Sequence, residues 1–202
     1  MLRLAVILIP LCLLACSDAD CGRSGTIFPE GLELKAGDVV FRRGTGFTSQ
    51  AVIMAEGGGA YSHTGIVIDS AGRPMIVHAV PGEPDYKGDE DRVKMDTPTD
   101  FFAKDRAQTG AVYRHQDSLT ARCAAERALQ TYRRHPLFDH DYDDGDTTRL
   151  YCTELVVHAY RTAGCPLRGV GRQHLHLVGF EADCVLPSDI QKSVDLQLMT
   201  TF

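Results

Sequence analysis

Two groups of side chains in this sequence could make a nucleophile and its base. From Tyr151 to Ala163 the residues Cys152, Leu155, Val156, Ala159 and Ala163 share one helical face, and Gly164 and Pro166 close the segment. Cys152 therefore falls in the first turn, at the inward edge of a buried stripe. Backbone N–H groups and the helix dipole at such a position can draw a thiol from about 8.5 toward the range of about 3.5–7.5 found in reactive cysteines. The competing reading is a small buried hydrophobe, which is what most free cysteines are.

A thiol nucleophile needs a base, and a hairpin offers two histidines. Tyr61 to Ile68 and Met75 to Val80 read as strands around the turn Asp69 to Pro74. A loop of Ser70 to Arg73 sets Gly65 opposite His78 and His63 opposite Val80. The imidazoles are then diagonal neighbours on one face, about 7–8 Å apart at the backbone, with Gly65 leaving the space between them open. One residue more or fewer in the loop would send His78 to the other face.

The start of the chain reads as an address. Arg3 and the apolar run Leu4 to Ala15 fit a secretory signal, and Leu13-Leu14-Ala15-Cys16 looks like a bacterial lipobox. Residues 1–15 are then a lipoprotein signal peptide, Cys16 the lipid attachment site, 16–30 a polar tether, and 31–202 the domain. Ser17 resembles the outer-membrane sorting signal of enterobacterial lipoproteins, so the expected place is the envelope, on the outer membrane facing the periplasm. Of the 7 cysteines, Cys12 leaves with the signal and Cys16 takes lipid. Cys21, Cys123, Cys152, Cys165 and Cys184 remain in an oxidising compartment, an odd number that leaves one thiol unpaired, and Cys152 is the natural one. The other four allow three pairings, with Cys165–Cys184 preferred.

These residues need a scaffold, and 202 residues at 44% hydrophobic suffice for one core. With 21 basic against 27 acidic residues and no basic run, duplex nucleic acid is not an expected partner. No apolar stretch reaches the roughly 20 residues of a spanning helix. Val39-Val40-Phe41 is a strand, Ser49 to Glu56 a short helix, Ala111 to His115 a further strand, and Ser118 to Arg134 an amphipathic helix with Ser118 as its cap. Pro81 to Lys104 reads as a polar surface excursion, and Phe138 to Thr148 as an acidic loop. The tail makes a helical turn at Pro187-Ser188-Asp189 and a last strand through Leu196 and Leu198. Mixed elements without βαβ alternation argue for α+β. Gly44-Thr45-Gly46 lacks the third glycine of a dinucleotide loop. Asp139, Asp141 and Asp143 start like a calcium loop but have Asp144 and Leu150 where Gly and Glu belong, and His174 and His176 lack a zinc spacing. No cofactor or metal is expected.

Gly37-Asp38-Val39-Val40-Phe41, Tyr61-Ser62-His63-Thr64-Gly65-Ile66-Val67-Ile68 and Leu150-Tyr151-Cys152-Thr153-Glu154-Leu155-Val156 occur in that order. Together they resemble the YiiX/YebB group of circularly permuted papain-like, NlpC-like thiol amidases, in which His precedes Cys. Asp139 to Asp146 and Leu186-Pro187-Ser188-Asp189 extend the likeness over residues 35–190. The resemblance implies an antiparallel sheet packed against helices, with the nucleophile at a helix N-terminus. It makes Cys152 the nucleophile and His63 the base. The family's third catalytic residue, usually Glu, falls where this sequence has His78, and a His-His-Cys set is similar to lecithin:retinol acyltransferase-like enzymes. The expected activity is an acyl-enzyme hydrolysis of an amide, in a peptidoglycan peptide or an N-acyl amino acid or lipid. A lipid-directed acyltransferase or esterase and a non-catalytic binding lipoprotein are the rivals.

Overall fold

Val39-Val40-Phe41 shows no polar alternation because both faces of its strand are covered. Val39 and Phe41 pack with Ile66, Ile68, Val77, Leu155 and Tyr160 on one side, whereas Val40 packs with Val67, Ile76, Phe101 and Phe102 on the other. The computed structural model describes residues 25–143, 145–177 and 180–202. The signal segment, Cys16 and Cys21 lie outside the described residues. In chain order the elements are β1 (Val39–Gly44), α1 (Phe47–Ala55), β2 (His63–Ser70), β3 (Arg73–Val80), β4 (Arg92–Asp96), α2 (Pro98–Phe101) and β5 (Ala107–His115). They continue with α3 (Ser118–Tyr132), β6 (Leu137–Phe138), β7 (Arg149–Leu150), α4 (Cys152–Thr162), β8 (Gln173–Leu177), β9 (Phe180–Cys184), α5 (Pro187–Gln191) and β10 (Leu196–Thr201).

One sheet runs in the order β10-β5-β1-β2-β3-β4-β6-β7, with β8 and β9 forming a separate hairpin. Its pairs are antiparallel except β6 with β7. This is the expected α+β architecture. Helices α3 and α4 contribute Ala124, Ala128, Leu155, Val156 and Ala159 to the larger core against one face. Asp117, one residue earlier than expected, caps α3 by accepting the Thr120 N–H at 2.6 Å. The opposite face is closed by Phe101, Phe102 and Phe202 and by Ile27, Phe28, Leu32 and Leu34 of the entering chain. Residues 25–30, assigned to the tether from their polar composition, are thus partly docked. The Ile27 N–H donates to the Phe102 carbonyl at 2.9 Å, and Phe28 stacks on Phe102 at 5.7 Å.

The stretch 81–104, expected to be a surface excursion, instead supplies β4 and α2. Two of its charges are inward: Lys94 and Asp96 are buried on a strand whose Arg-Val-Lys-Met-Asp sequence alternates with period two, whereas Asp85, Lys87 and Glu90 before it are exposed as expected. Among the described residues no helix is long and apolar enough to cross a membrane.

Candidate active site

The β2–β3 hairpin turns through Ala71 and Gly72, both at positive φ (54° and 77°), with Ser70 paired to Arg73. A two-residue loop of this kind matches the twist of the strands. It is shorter than the four-residue loop expected, yet centred on the same point, so Ile66↔Val77 and Val67↔Ile76 pair as the sequence required. The two imidazoles meet: His63 Nε2 and His78 Nδ1 are 2.9 Å apart, and both rings are buried. Gly65 makes this possible. A Cβ there would stand 2.6 Å from Ile76 Cγ2 and 3.1 Å from His78 Cβ. Phe101 packs on both rings, stacked on His63 at 5.5 Å and edge-on to His78 at 5.0 Å.

Behind the pair stands a residue that sequence reasoning missed. His78 Nε2 lies 3.1 Å from Asp96 Oδ2, on the neighbouring strand. Burial opposes the Asp96 charge, but the His78 hydrogen bond, Lys94 and Arg106 together hold its carboxyl well below the usual range. Arg106 Nη1 is 3.2 Å from Asp96 Oδ2, and Lys94 Nζ 3.5 Å from Oδ1. An ionised Asp96 accepts, so His78 Nε2 carries the proton and His78 Nδ1 is the acceptor for His63 Nε2–H. The lone pair of His63 is thereby assigned to Nδ1. The signal was the polar alternation of β4, masked by the ordinary reading of a charge run as a solvated face.

Cys152 opens α4 as expected, and with His63 it lines a cleft of about 530 Å3. The helix start is tied down from the far end of the chain. Thr153 Oγ1 donates to the Val185 carbonyl at 2.6 Å, and the Val185 N–H donates to Tyr151 Oη at 3.3 Å. Thr64 lies beyond the end of the β2–β3 ladder, which stops at Ile66↔Val77. Its backbone N–H, with those of Thr153 and Cys152, favours the thiolate, as does Arg42. Burial outweighs them and pushes the thiol up to about 11, which corrects the expectation that the helix start alone would lower it. Burial, aided by Arg42 and His78, holds His63 well below 6.5. Both directions favour a neutral thiol and a neutral imidazole at rest.

Arg42 is 2% exposed. It donates to the Phe101 carbonyl at 2.6 Å, pairs with Glu83, and lies 4.6 Å over the Phe101 ring. On the other side of the thiol the cleft wall is aromatic and aliphatic: Phe138, Tyr142, Tyr151, Val185 and Leu186. Tyr142 sits at φ 57°, an unusual backbone conformation for a bulky residue. The acidic loop imposes it. Asp139 accepts the N–H groups of Asp141 at 3.0 Å and Asp143 at 2.6 Å, which turns the chain so that Tyr142 packs on Tyr151 at 5.1 Å. Among the described residues no three His, Cys, Asp or Glu side chains are grouped as a metal site.

The cysteine pairing expected from sequence does not hold. Cys123, Cys152, Cys165 and Cys184 are all free thiols. Cys184 is buried on the cleft wall near Cys152, whereas exposed Cys165 follows the other end of α4, where Thr120 Oγ1 approaches it at 3.6 Å. An 11-residue helix, about 16 Å long, lies between those two places.

The family model described as permuted papain-like amidase enzyme, YaeF/YiiX, C92 family, matches residues 33–176. The crystal structure of metalloprotein yiiX from Escherichia coli O157:H7 superposes with a TM-score of 0.65 at 19% identity, covering 85% of this chain and 99% of that one. No curated protein matches the chain by sequence.

Proposed function

The chain belongs to the permuted papain-like amidases of the YaeF/YiiX, C92 family, a cysteine amidase and peptidase family, and on that premise we propose a lipid-anchored envelope hydrolase that cleaves an amide bond through Cys152. The observation that carries the reading is the 2.9 Å contact of His63 with His78, beside the cleft that Cys152 and His63 share. Because both groups rest neutral, the thiol proton passes to His63 Nδ1 as sulfur attacks the carbonyl, and no ion pair stands ready beforehand. The Cys152 N–H, at the helix start, stabilises the oxyanion. The His63 imidazolium then protonates the leaving amine, and water, deprotonated by the same nitrogen, releases the acyl group. His78 orients His63 from behind. The aromatic and aliphatic wall beside the sulfur supports an apolar acyl portion, and so favours an N-acyl amide over a peptidoglycan peptide.

The anchor is part of the proposal: Leu13-Leu14-Ala15-Cys16 would hold the protein to the outer membrane by acyl chains on Cys16. The decisive experiment incubates the protein with N-acyl amino acids and with peptidoglycan peptides, then measures intact mass. An acyl mass mapped to Cys152, lost in Cys152→Ala, is expected. Turnover that persists in Cys152→Ala would end the reading.

A further inference from the structure

Phe47 is 97% exposed and Met54 75% exposed, both on α1, where they lie two helical turns apart with exposed Ala51 between them. Scattered exposed apolar residues need no explanation. These two share one face of a helix that carries no charged residue, and the same helix walls the cleft through Phe47, Thr48, Ser49 and Val52. The position of the entering chain supplies the second observation. The Lys104 N–H donates to the Gly25 carbonyl at 2.7 Å, and the next residue, Asp105, accepts from Thr45 Oγ1 at 2.6 Å. Gly25 therefore reaches the folded domain at the cleft rim, close to the start of α1. Exposed Lys104 and half-buried Arg43 add positive charge nearby, beside exposed Asp105, whereas Arg106 is held by Asp96 and Glu83.

We infer that the exposed face of α1 rests on the surface of an anionic phospholipid bilayer, with the active-site cleft opening at that surface. The inference builds on the proposed anchor at Cys16. Eight residues separate Cys16 from Gly25, nine Cα–Cα steps with a reach of about 30 Å. Two apolar side chains bind a bilayer only weakly by themselves. A tether this short makes their contact intramolecular, at an effective concentration in the millimolar range, so weak contacts suffice. A substrate with an apolar acyl chain would then enter from the membrane and pass Phe47 and Val52 on its way to the thiol.

The chain has no tryptophan, so Phe47→Trp installs a single reporter. Lipidated protein lacking residues 1–15, and a form starting at Ser17 that carries neither lipid nor signal, are mixed with vesicles of phosphatidylethanolamine and phosphatidylglycerol. Expected are a blue shift of Trp emission and quenching by brominated acyl chains, at about tenfold or more lower lipid concentration for the anchored form. Leu119→Trp, on an exposed site near Cys165 at the far end of α4 from the cleft, is expected to be unaffected. A silent Phe47→Trp on protein that co-floats with vesicles overturns the inference and leaves the anchor standing. Equal lipid dependence of the two forms removes the anchor from the argument and leaves the face. A blue shift that needs no vesicles and grows with protein concentration means a second copy covers α1, and overturns the inference. Acyl-enzyme formation is read separately by mass, so the hydrolase assignment stands or falls apart from these results.

Discussion

The two sides of the thiol are built from different materials. Behind His63 the chain His63–His78–Asp96 runs across three adjacent strands, its members buried and each hydrogen-bonded to the next, with Lys94 and Arg106 supporting the carboxylate. In front, the wall comes from the acidic loop, the residues before α5, and α1, and it is mostly apolar, with Thr48 and Ser49 as the polar members from α1. Sheet register leaves the first side almost no freedom, since a slip of one residue reverses every side chain. The second rests on loop geometry and can change shape or composition at lower cost. Under the proposed mechanism, this difference gives proton handling to the sheet and substrate choice to the loops.

Substitutions should therefore separate into rate effects and affinity effects. The largest is expected at the reacting atoms: Cys152→Ala or His63→Ala should lower kcat by about 10³-fold or more in an acyl-release assay. His78→Ala follows, with about 10²-fold lower kcat and little change in KM, because His63 keeps its ring but loses its tautomer. His78→Glu is a sharper probe. It restores the residue type usual in the family, yet places a second carboxylate beside Asp96, so the single variant should be slow and His78→Glu/Asp96→Asn should recover at least about tenfold. Equal activity of the single and double variants would show that Asp96 does not act through His78.

Next comes the wall, where Tyr142→Ala is expected to raise KM about tenfold while kcat changes less than about threefold. A selective fall in kcat would reverse the division of labour argued above. Alkylation of Cys152 by iodoacetamide should rise about tenfold per pH unit from neutrality, bending only near 11, rather than reaching a plateau below pH 8 as a preformed ion pair would. The smallest effect is on stability. His63 and His78 bind a proton less readily folded than unfolded, so the unfolded chain takes up protons first as pH falls below about 6.5. The folded state then loses stability on acidification, by up to about 1.4 kcal/mol per pH unit for each histidine. Thermal melts between pH 7.5 and 5 check this, and His78→Ala should flatten the slope.

Local signals in the sequence were sufficient for the helix that Cys152 opens, the hairpin and its register. A helix start is marked by a few neighbouring residues, and a hairpin is centred by its turn, so Cys152, His63 and His78 could be placed from spacing alone. Asp96 and Tyr142 could not. Asp96 matters because β4 lies beside β3, and a polar strand that is solvated in isolation becomes a buried ion network only when the sheet closes over it. Tyr142 enters the cleft because Asp139 bends its own loop, although the same aspartates read equally well as a surface feature. The protonation of the site is also tertiary. A helix start favours a thiolate wherever it occurs, but how much water the surrounding chain excludes decides whether that preference prevails, and here burial wins.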